Sequence, residues 1–139
     1  PLFAQQRGVR VDELKSSEHE DYASLITVIY QTATARRILS GTLFGKSDPR
    51  LVRLDEYSFD AIPKGNMLFY INEDVPGVIG RIGTVMGAHR VNIAQMSCGR
   101  HQVGGQALTI LNVDSLIPDA VLAEILAHSN IVWAKQISL

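Results

Sequence analysis

The sequence predicts an α+β protein in which short antiparallel strands come first and a β-α-β-β-α-β unit follows. Two observations predict this class. Before Ile62–Asn66 the apolar segments are short and bounded by turn residues, which is typical of strands. After it, two helical apolar stripes lie between strand-like segments. A proline and a glycine separate the two patterns, so the chain is expected to divide there into residues 1–64 and 65–139.

The composition limits the classes of function. The chain has 139 residues, 46% of them hydrophobic and 19% charged, so it can bury a core in one ordinary domain or two small ones. The net charge of −1 argues against nucleic acid or an anionic membrane surface as a partner, since both require a basic excess. No apolar run approaches the ~20 residues that cross a bilayer.

The location is expected to be the cytoplasm. The single cysteine, Cys98, has no partner for an internal disulfide, and this suits a reducing compartment. No basic-then-apolar signal sequence opens the chain. The chain begins at Pro1, in what is interpreted as the end of a helix, so it is expected to be part of a longer protein.

The first half predicts a meander of antiparallel strands. The predicted strands, each rich in Val, Ile, Leu, Tyr or Phe, are Val9–Leu14, Leu25–Tyr30, Arg37–Leu43, Leu51–Leu54 and Tyr57–Ile62. The acidic stretch Lys15–Tyr22 predicts a surface loop or a short capped helix. A few short strands need a helical layer on their second face, and Leu2–Arg7 offers only a helix remnant. This half is therefore expected to be incomplete.

The second half alternates strands and helices. The strands are predicted at Met67–Ile71, Val91–Met96, Ala107–Val113 and Ile131–Ile137, with a hairpin turn at Gln102–Gly105. The helices are predicted at Pro76–His89 and Asp119–His128, because apolar residues recur there at helical spacing. Asp74 is the expected cap of the first helix and Pro76 lies in its first turn.

The order β-α-β-β-α-β is that of the ferredoxin-like fold. Right-handed crossovers place both helices on one face of an antiparallel sheet. The other face must then meet solvent or a partner.

The loop after the first of these strands, Asn72–Gly77, carries groups that can bind a small zwitterion. The free N–H groups and partial positive charge of a helix N-terminus attract a carboxylate. The side chains of Asn72 and Asp74 can accept hydrogen bonds from an α-ammonium group, and the turn Val75–Val78 offers N–H donors. Asn92, at the start of the second strand, is expected beside this loop. The simpler interpretation is that Asp74 only caps the helix and Asn72 only turns the chain.

Four glycines fall on the first predicted helix, at Gly77, Gly80, Gly83 and Gly87. Each costs a helix about 1 kcal/mol relative to alanine, a cost that is tolerated where another backbone packs closely. Tight packing on the sheet or on a helix is the preferred interpretation. No G-x-G-x-x-G dinucleotide motif occurs.

At these residues the chain resembles a known family. The segment LFYINEDVPGVIGRIGTVMGAHRVNIAQ, Leu68–Gln95, resembles an ACT domain, the small amino-acid-sensing module, and most resembles that of D-3-phosphoglycerate dehydrogenases. The segments SSEHEDYASLITV, SGTLFGKSDPRLVRLDEY and FDAIPKGNML resemble the intervening, allosteric substrate-binding domain of the long form of these enzymes. The resemblance thus implies part of an intervening domain at 1–64 and an ACT domain at 65–139.

The resemblance also implies a role in L-serine biosynthesis. The parent enzyme would oxidise 3-phosphoglycerate with NAD through catalytic domains upstream, and this chain would hold no cofactor. L-Serine would bind as feedback inhibitor between two ACT domains of a dimer or tetramer. The family contacts correspond to Asn72, Asp74 and Asn92. Because family members vary at the first two of these positions, the identity of the effector stays open.

The alternative is an amino-acid-sensing or subunit-assembly module of another enzyme or regulator, such as an L-serine dehydratase. A third interpretation is an ACT unit that only joins subunits. An RNA-binding sheet is disfavoured by the charge and by the absence of the aromatic motif, although Tyr70 and Trp133 are expected on outer strands.

Two further groups of residues are candidates for binding. Lys46, Arg50 and Arg53 form a candidate anion site, or a solvated basic face. Cys98, His101 and His89 offer only three plausible zinc ligands where a structural site needs four, so no metal is expected. No catalytic triad, nucleophile elbow or paired-carboxylate arrangement is recognisable, so catalysis within the chain is not expected.

Overall fold

The computed structural model describes residues 4, 6–15, 22 and 24–139. Its strands are β1 (Leu25–Gln31), β2 (Arg36–Phe44), β3 (Asp48–Leu54), β4 (Tyr57–Ala61), β5 (Asn66–Glu73), β6 (Ile93–Arg100), β7 (Gln106–Val113) and β8 (Ile131–Ser138). Its helices are α1 (Val78–Ala88) and α2 (Asp119–Leu126). The predicted α+β class is confirmed. No helix in the described ranges is long and apolar enough to span a membrane.

The first sheet is the predicted antiparallel meander, in the order β1-β2-β3-β4. A strand over Val9–Leu14 is not formed, and this prediction was wrong: the segment is irregular, and Leu14 is 94% exposed. Arg10 and Asp12 form an ion pair with each other, and no strand among the described residues takes up the backbone hydrogen bonds of the segment. The predictions for Leu2–Arg7 and Lys15–Tyr22 fall largely outside the described residues.

The second sheet has the strand order β6-β7-β5-β8, with every neighbouring pair antiparallel. This is the order of a ferredoxin-like fold. Both helices cover one face, where the core is closed by Leu68, Tyr70, Ile82, Met86, Leu111, Val121 and Ile125, each at most 1% exposed. Tyr70 therefore lies on the central strand β5 rather than on an outer strand, whereas Trp133 lies on the edge strand β8.

The other face of the second sheet is covered in part by the first half of the same chain. Tyr57, Phe59 and Ala61 of β4 pack on Met67, Phe69, Leu108 and Ile110. The backbone of β4 lies so close to β6 that a Cβ atom at Gly99 would overlap the Ser58 carbonyl oxygen. The expectation that this face meets only solvent or a partner is corrected accordingly: β4 supplies its apolar cover.

Candidate functional site

Asn72 lies at the end of β5, between Ala107 of β7 and Ile131 of β8. Its side chain is only 4% exposed, since strands flank it on both sides. The amide Nδ2 donates to the Glu73 carbonyl oxygen at 2.7 Å. The amide Oδ1 is buried and has no hydrogen-bond partner among the described residues. A buried amide oxygen without a donor costs free energy, so the unpaired Oδ1 is an unfavourable feature of this strand end.

Asp74 does not cap helix α1, and the predicted cap was wrong. Its carboxylate oxygen Oδ2 accepts from Arg100 Nη1 at 3.1 Å and from the Gly104 N–H at 3.3 Å. Its own N–H donates to the Gly105 carbonyl oxygen at 2.9 Å. The β6–β7 hairpin therefore returns to the loop and holds the carboxylate away from the helix.

The N-terminus of α1 is left without a side-chain cap and without an acidic residue in its first turn. Pro76 precedes the helix rather than starting it, and Gly77 adopts φ 93°, a left-handed conformation that favours glycine. The Val75 N–H donates to the Glu73 carbonyl oxygen, and proline has no N–H. Of the predicted turn, Gly77 and Val78 thus present N–H groups at the positive end of the helix.

The cavity at this end of α1 is small. It has a volume of about 30 Å³ and is lined by Pro76, Gly77, Val78, Arg81, Ile82, His128, Ser129, Asn130 and Ile131. A water molecule needs roughly 10–15 Å³ measured in this way, so the cavity has room for only two or three waters. An amino acid does not fit within it.

Asn92 lies at the opposite end of the sheet, and its predicted place beside the loop was wrong for a single chain. Ile93 pairs with Val113, which in turn pairs with Asn66 at the start of β5. Because β5 and β6 run parallel, the start of β6 and the end of β5 are about 20 Å apart at 3.3 Å per residue. Asn92 Nδ2 donates instead to Asp114 Oδ2 at 2.7 Å.

Arg100, Gly104 and Asp114 were not recognised in the sequence as part of this region. The predicted topology could have revealed these contacts, because in a β-α-β-β-α-β unit the hairpin after the second strand lies beside the end of the first strand. Gly105 and Arg100 therefore meet the loop after β5. Asp114 meets Asn92 for the same reason at the other end.

The candidate anion-binding residues are only partly available for an anion. Arg50 forms ion pairs with Asp48 and, at 2.9 Å from its Nε, with Asp60. A hydrogen bond to Asp48 is the main cause that raises the pKa of Arg50, against an opposing effect of burial. Arg53 donates to the Asp55 carbonyl oxygen at 2.7 Å. Lys46 lies in the exposed turn after β2, and the anion site stays a prediction.

Cys98, His89 and His101 do not come together. Cys98 lies on β6 and is exposed. His89 follows α1, with Nε2 2.9 Å from Glu124 Oε2, and His101 lies in the turn after β6. In the part of the chain that the structure describes, no three His, Cys, Asp or Glu side chains are grouped to hold a metal ion.

The glycine stripe of α1 does not pack on the described part of the chain. Cβ atoms at Gly80, Gly83 and Gly87 would meet nothing within 4 Å. The expected tight packing on the sheet or on α2 is therefore not found among the described residues. These glycines leave instead a shallow, exposed helix face beside Ile79, which is 48% exposed.

Comparisons with known families agree with both halves of the chain. Residues 1–55 match the model of the D-3-phosphoglycerate dehydrogenase intervening domain. Residues 66–130 match the model of the ACT domain. Residues 56–65, which include β4, lie between the two matched segments.

Several curated relatives align along nearly the whole chain. A D-3-phosphoglycerate dehydrogenase of Synechocystis is 34% identical over 99% of the chain, and one of Archaeoglobus fulgidus is 36% identical over 98%. The enzyme of that name from Bacillus subtilis is 30% identical over 98%. The aligned segments make up 25%, 26% and 26% of these relatives, so the chain spans about a quarter of their length.

Proposed function

The chain belongs to the intervening-domain and ACT-domain families of D-3-phosphoglycerate dehydrogenases, and we propose from this premise that it senses an amino acid, L-serine by preference. Residues 1–64 would form the later part of the intervening domain and residues 65–139 the ACT domain. The whole protein would be a cytoplasmic, NAD-dependent enzyme of L-serine biosynthesis that oxidises 3-phosphoglycerate.

The buried Oδ1 of Asn72 is the observation that carries this proposal. An amino acid brings an α-ammonium group, which supplies the donor that this acceptor lacks among the described residues. The same molecule brings an α-carboxylate, which suits the uncapped N-terminus of α1 at Gly77 and Val78. The two complementary groups flank one loop, with Asn72 before it and Gly77 and Val78 after it.

The site becomes complete only with a second copy of the chain. The cavity beside the N-terminus of α1 has room for only two or three waters, and neither Asn72 nor Asp74 lines it, so further walls must come from outside. Helix α2 packs against β8 and beside α1, so α1 lies over the β6 half of the sheet. The exposed glycine face of α1 lies next to the edge of β6 that does not pair with β7. Together they form one surface that is available to a partner.

A two-fold axis across this surface would bring Asn92 of the partner subunit to the loop after β5. Two β6 strands related by such an axis run antiparallel, so the start of one lies beside the end of the other. The end of β6 carries Arg100, which is bound to Asp74. Asn92 of the partner subunit would thus reach the loop that holds Asn72 and Asp74. An effector bound there contacts both subunits and can bias their relative orientation.

Calorimetric titration of L-serine into the 139-residue chain tests the proposal, with glycine and D-serine as competitors and sedimentation to follow the mass. We expect Asn92→Ala to weaken binding about 10-fold or more, because it removes an amide contact. Asn66→Ala is the matched control, since this asparagine lies on β5 away from the loop and bonds Ser138. No heat with the native dimer, or equal affinity in the Asn92→Ala chain, would overturn the proposal.

A further inference from the structure

Opposite charges stand at the two ends of strand β6. At its end, the Arg100 guanidinium is 56% exposed and uses Nη1 to bind Asp74. At its start, the exposed carboxylate of Asp114 is held beside Asn92 by a side-chain contact of 2.7 Å and by the Asp114 N–H, which donates to the Asn92 carbonyl oxygen. No basic side chain forms an ion pair with Asp114 in the described part of the chain.

A two-fold pairing of β6 edges brings these ends together. When two copies of one strand pair about a two-fold axis, they run antiparallel, so the start of each lies beside the end of the other. The pairing that completes the proposed serine site therefore sets Asn92 and Ile93 at the start of one β6 beside Arg100 at the end of the other. Asp114, which is fixed to Asn92, then lies next to Arg100 of the other subunit.

We propose that Arg100 of each subunit pairs with Asp114 of the partner subunit, and that this pair sets the register of the β6 seam. The proposal rests on the proposed function for the choice of this seam. The open edge of β6 offers unpaired backbone groups, but backbone groups alone allow several registers. Opposite charges at the two ends favour the one register in which both pairs form, and a shift by two residues separates them.

The partner is therefore a second copy of this chain, and the interface is self-complementary. Each dimer contains the pair twice, so a single charge reversal introduces two repulsive contacts. We expect Arg100→Glu and Asp114→Arg each to weaken self-association at least 10-fold. Lys135→Glu, a reversal on the opposite edge strand β8, is the matched control and should leave the dimer unchanged.

A mixture of the two reversed chains gives the decisive test. A heterodimer of Arg100→Glu with Asp114→Arg contains two attractive pairs, whereas each homodimer contains two repulsive ones. Native mass spectrometry and sedimentation should show mostly monomers for each variant alone and heterodimers on mixing. Circular dichroism of each variant establishes that it is folded, and heterodimer formation reports on the pair independently of local disturbance around Asp74.

Three results would overturn the inference: native-like dimers of either reversed chain, a mixture that stays monomeric, or dimers lost with Lys135→Glu. Serine titration of the native chain separates this outcome from the proposed function, because Arg100 and Asp114 contact Asp74 and Asn92 of the proposed serine site. Heterodimers from the mixture, together with a native chain that does not bind serine, support the ion pair while the effector proposal fails. Serine binding with self-association indifferent to both reversals overturns the ion pair alone.

Discussion

The two sheets of this chain bury their apolar residues to very different extents. The second sheet is closed by α1 and α2 on one face, where Leu68, Met86 and Ile125 have no more than 1% exposure. The first sheet has no helical layer among the described residues, and all seven residues of β1 are exposed. Burial in the first half is concentrated at β4, which uses the second sheet as its support.

The space between the sheets shows where this support ends. Strand β4 packs on the second sheet, whereas β2 and β3 leave a cleft of about 630 Å³. Apolar side chains line both of its walls, including Leu39, Leu51 and Leu54 on one side and Phe69 and Trp133 on the other. The second half can therefore be stable by its own packing, whereas the first half depends on the second sheet to bury its apolar residues.

The largest difference in the free energy of unfolding is expected when one isoleucine in each half is replaced by alanine. Ile125→Ala removes a fully buried side chain from α2 and should lower the free energy of unfolding by about 2–5 kcal/mol. Ile26→Ala removes a side chain that is 74% exposed on β1, so its effect should stay within about 0.5 kcal/mol. Urea unfolding followed by circular dichroism measures both. Equal losses for the two variants would contradict the contrast between the halves.

A pair of glycines tests the contact between the halves. Gly99→Ala places a methyl group against the Ser58 carbonyl oxygen and should destabilise the packing of β4 on β6 by about 1–3 kcal/mol. Gly83→Ala adds the same methyl group to an open face of α1 and should stabilise the helix by about 0.5–1 kcal/mol. Urea unfolding in dilute solution, below the concentration of self-association, measures both. A Gly99→Ala chain as stable as the native one would show that the sheets are not in contact.

The helices and most of the strands could be predicted from the sequence, because the local spacing of apolar residues determines them. The predicted helix over 76–89 is shorter at both ends, since Gly77 needs a left-handed conformation just before it. Local chemistry could not reveal that Asp74 binds Arg100, because the two residues are 26 positions apart and meet through a hairpin. The position of Asn92 within one chain was also predicted wrongly, since the order of the strands determines which strand ends lie side by side. The missed contacts are all products of topology rather than of spacing.

The smallest expected effect concerns a hydroxyl group inside the second sheet. Tyr70 is fully buried on β5, and its hydroxyl has no hydrogen-bond partner among the described residues. Burial is the main cause that raises the pKa of Tyr70 above its ordinary value. The unfolded chain therefore loses this proton first, at a pH of about 10. The contribution of Tyr70 to stability is complete below that pH and is lost as the pH rises through the higher pKa of the folded state.

Tyr70→Phe should therefore flatten the alkaline end of the stability profile. Near neutral pH we expect a change of less than about 1 kcal/mol, because the substitution removes a buried hydroxyl together with its desolvation cost. Above pH 10 the variant should lose stability less steeply than the native chain, as measured by urea unfolding at a series of pH values. Tyr30→Phe, at a tyrosine that is 57% exposed on β1, is the matched control and should follow the native profile. If Tyr70→Phe gives the native profile as well, burial does not raise the pKa of Tyr70. The contrast in burial between the two sheets then has no effect on the pH dependence of stability.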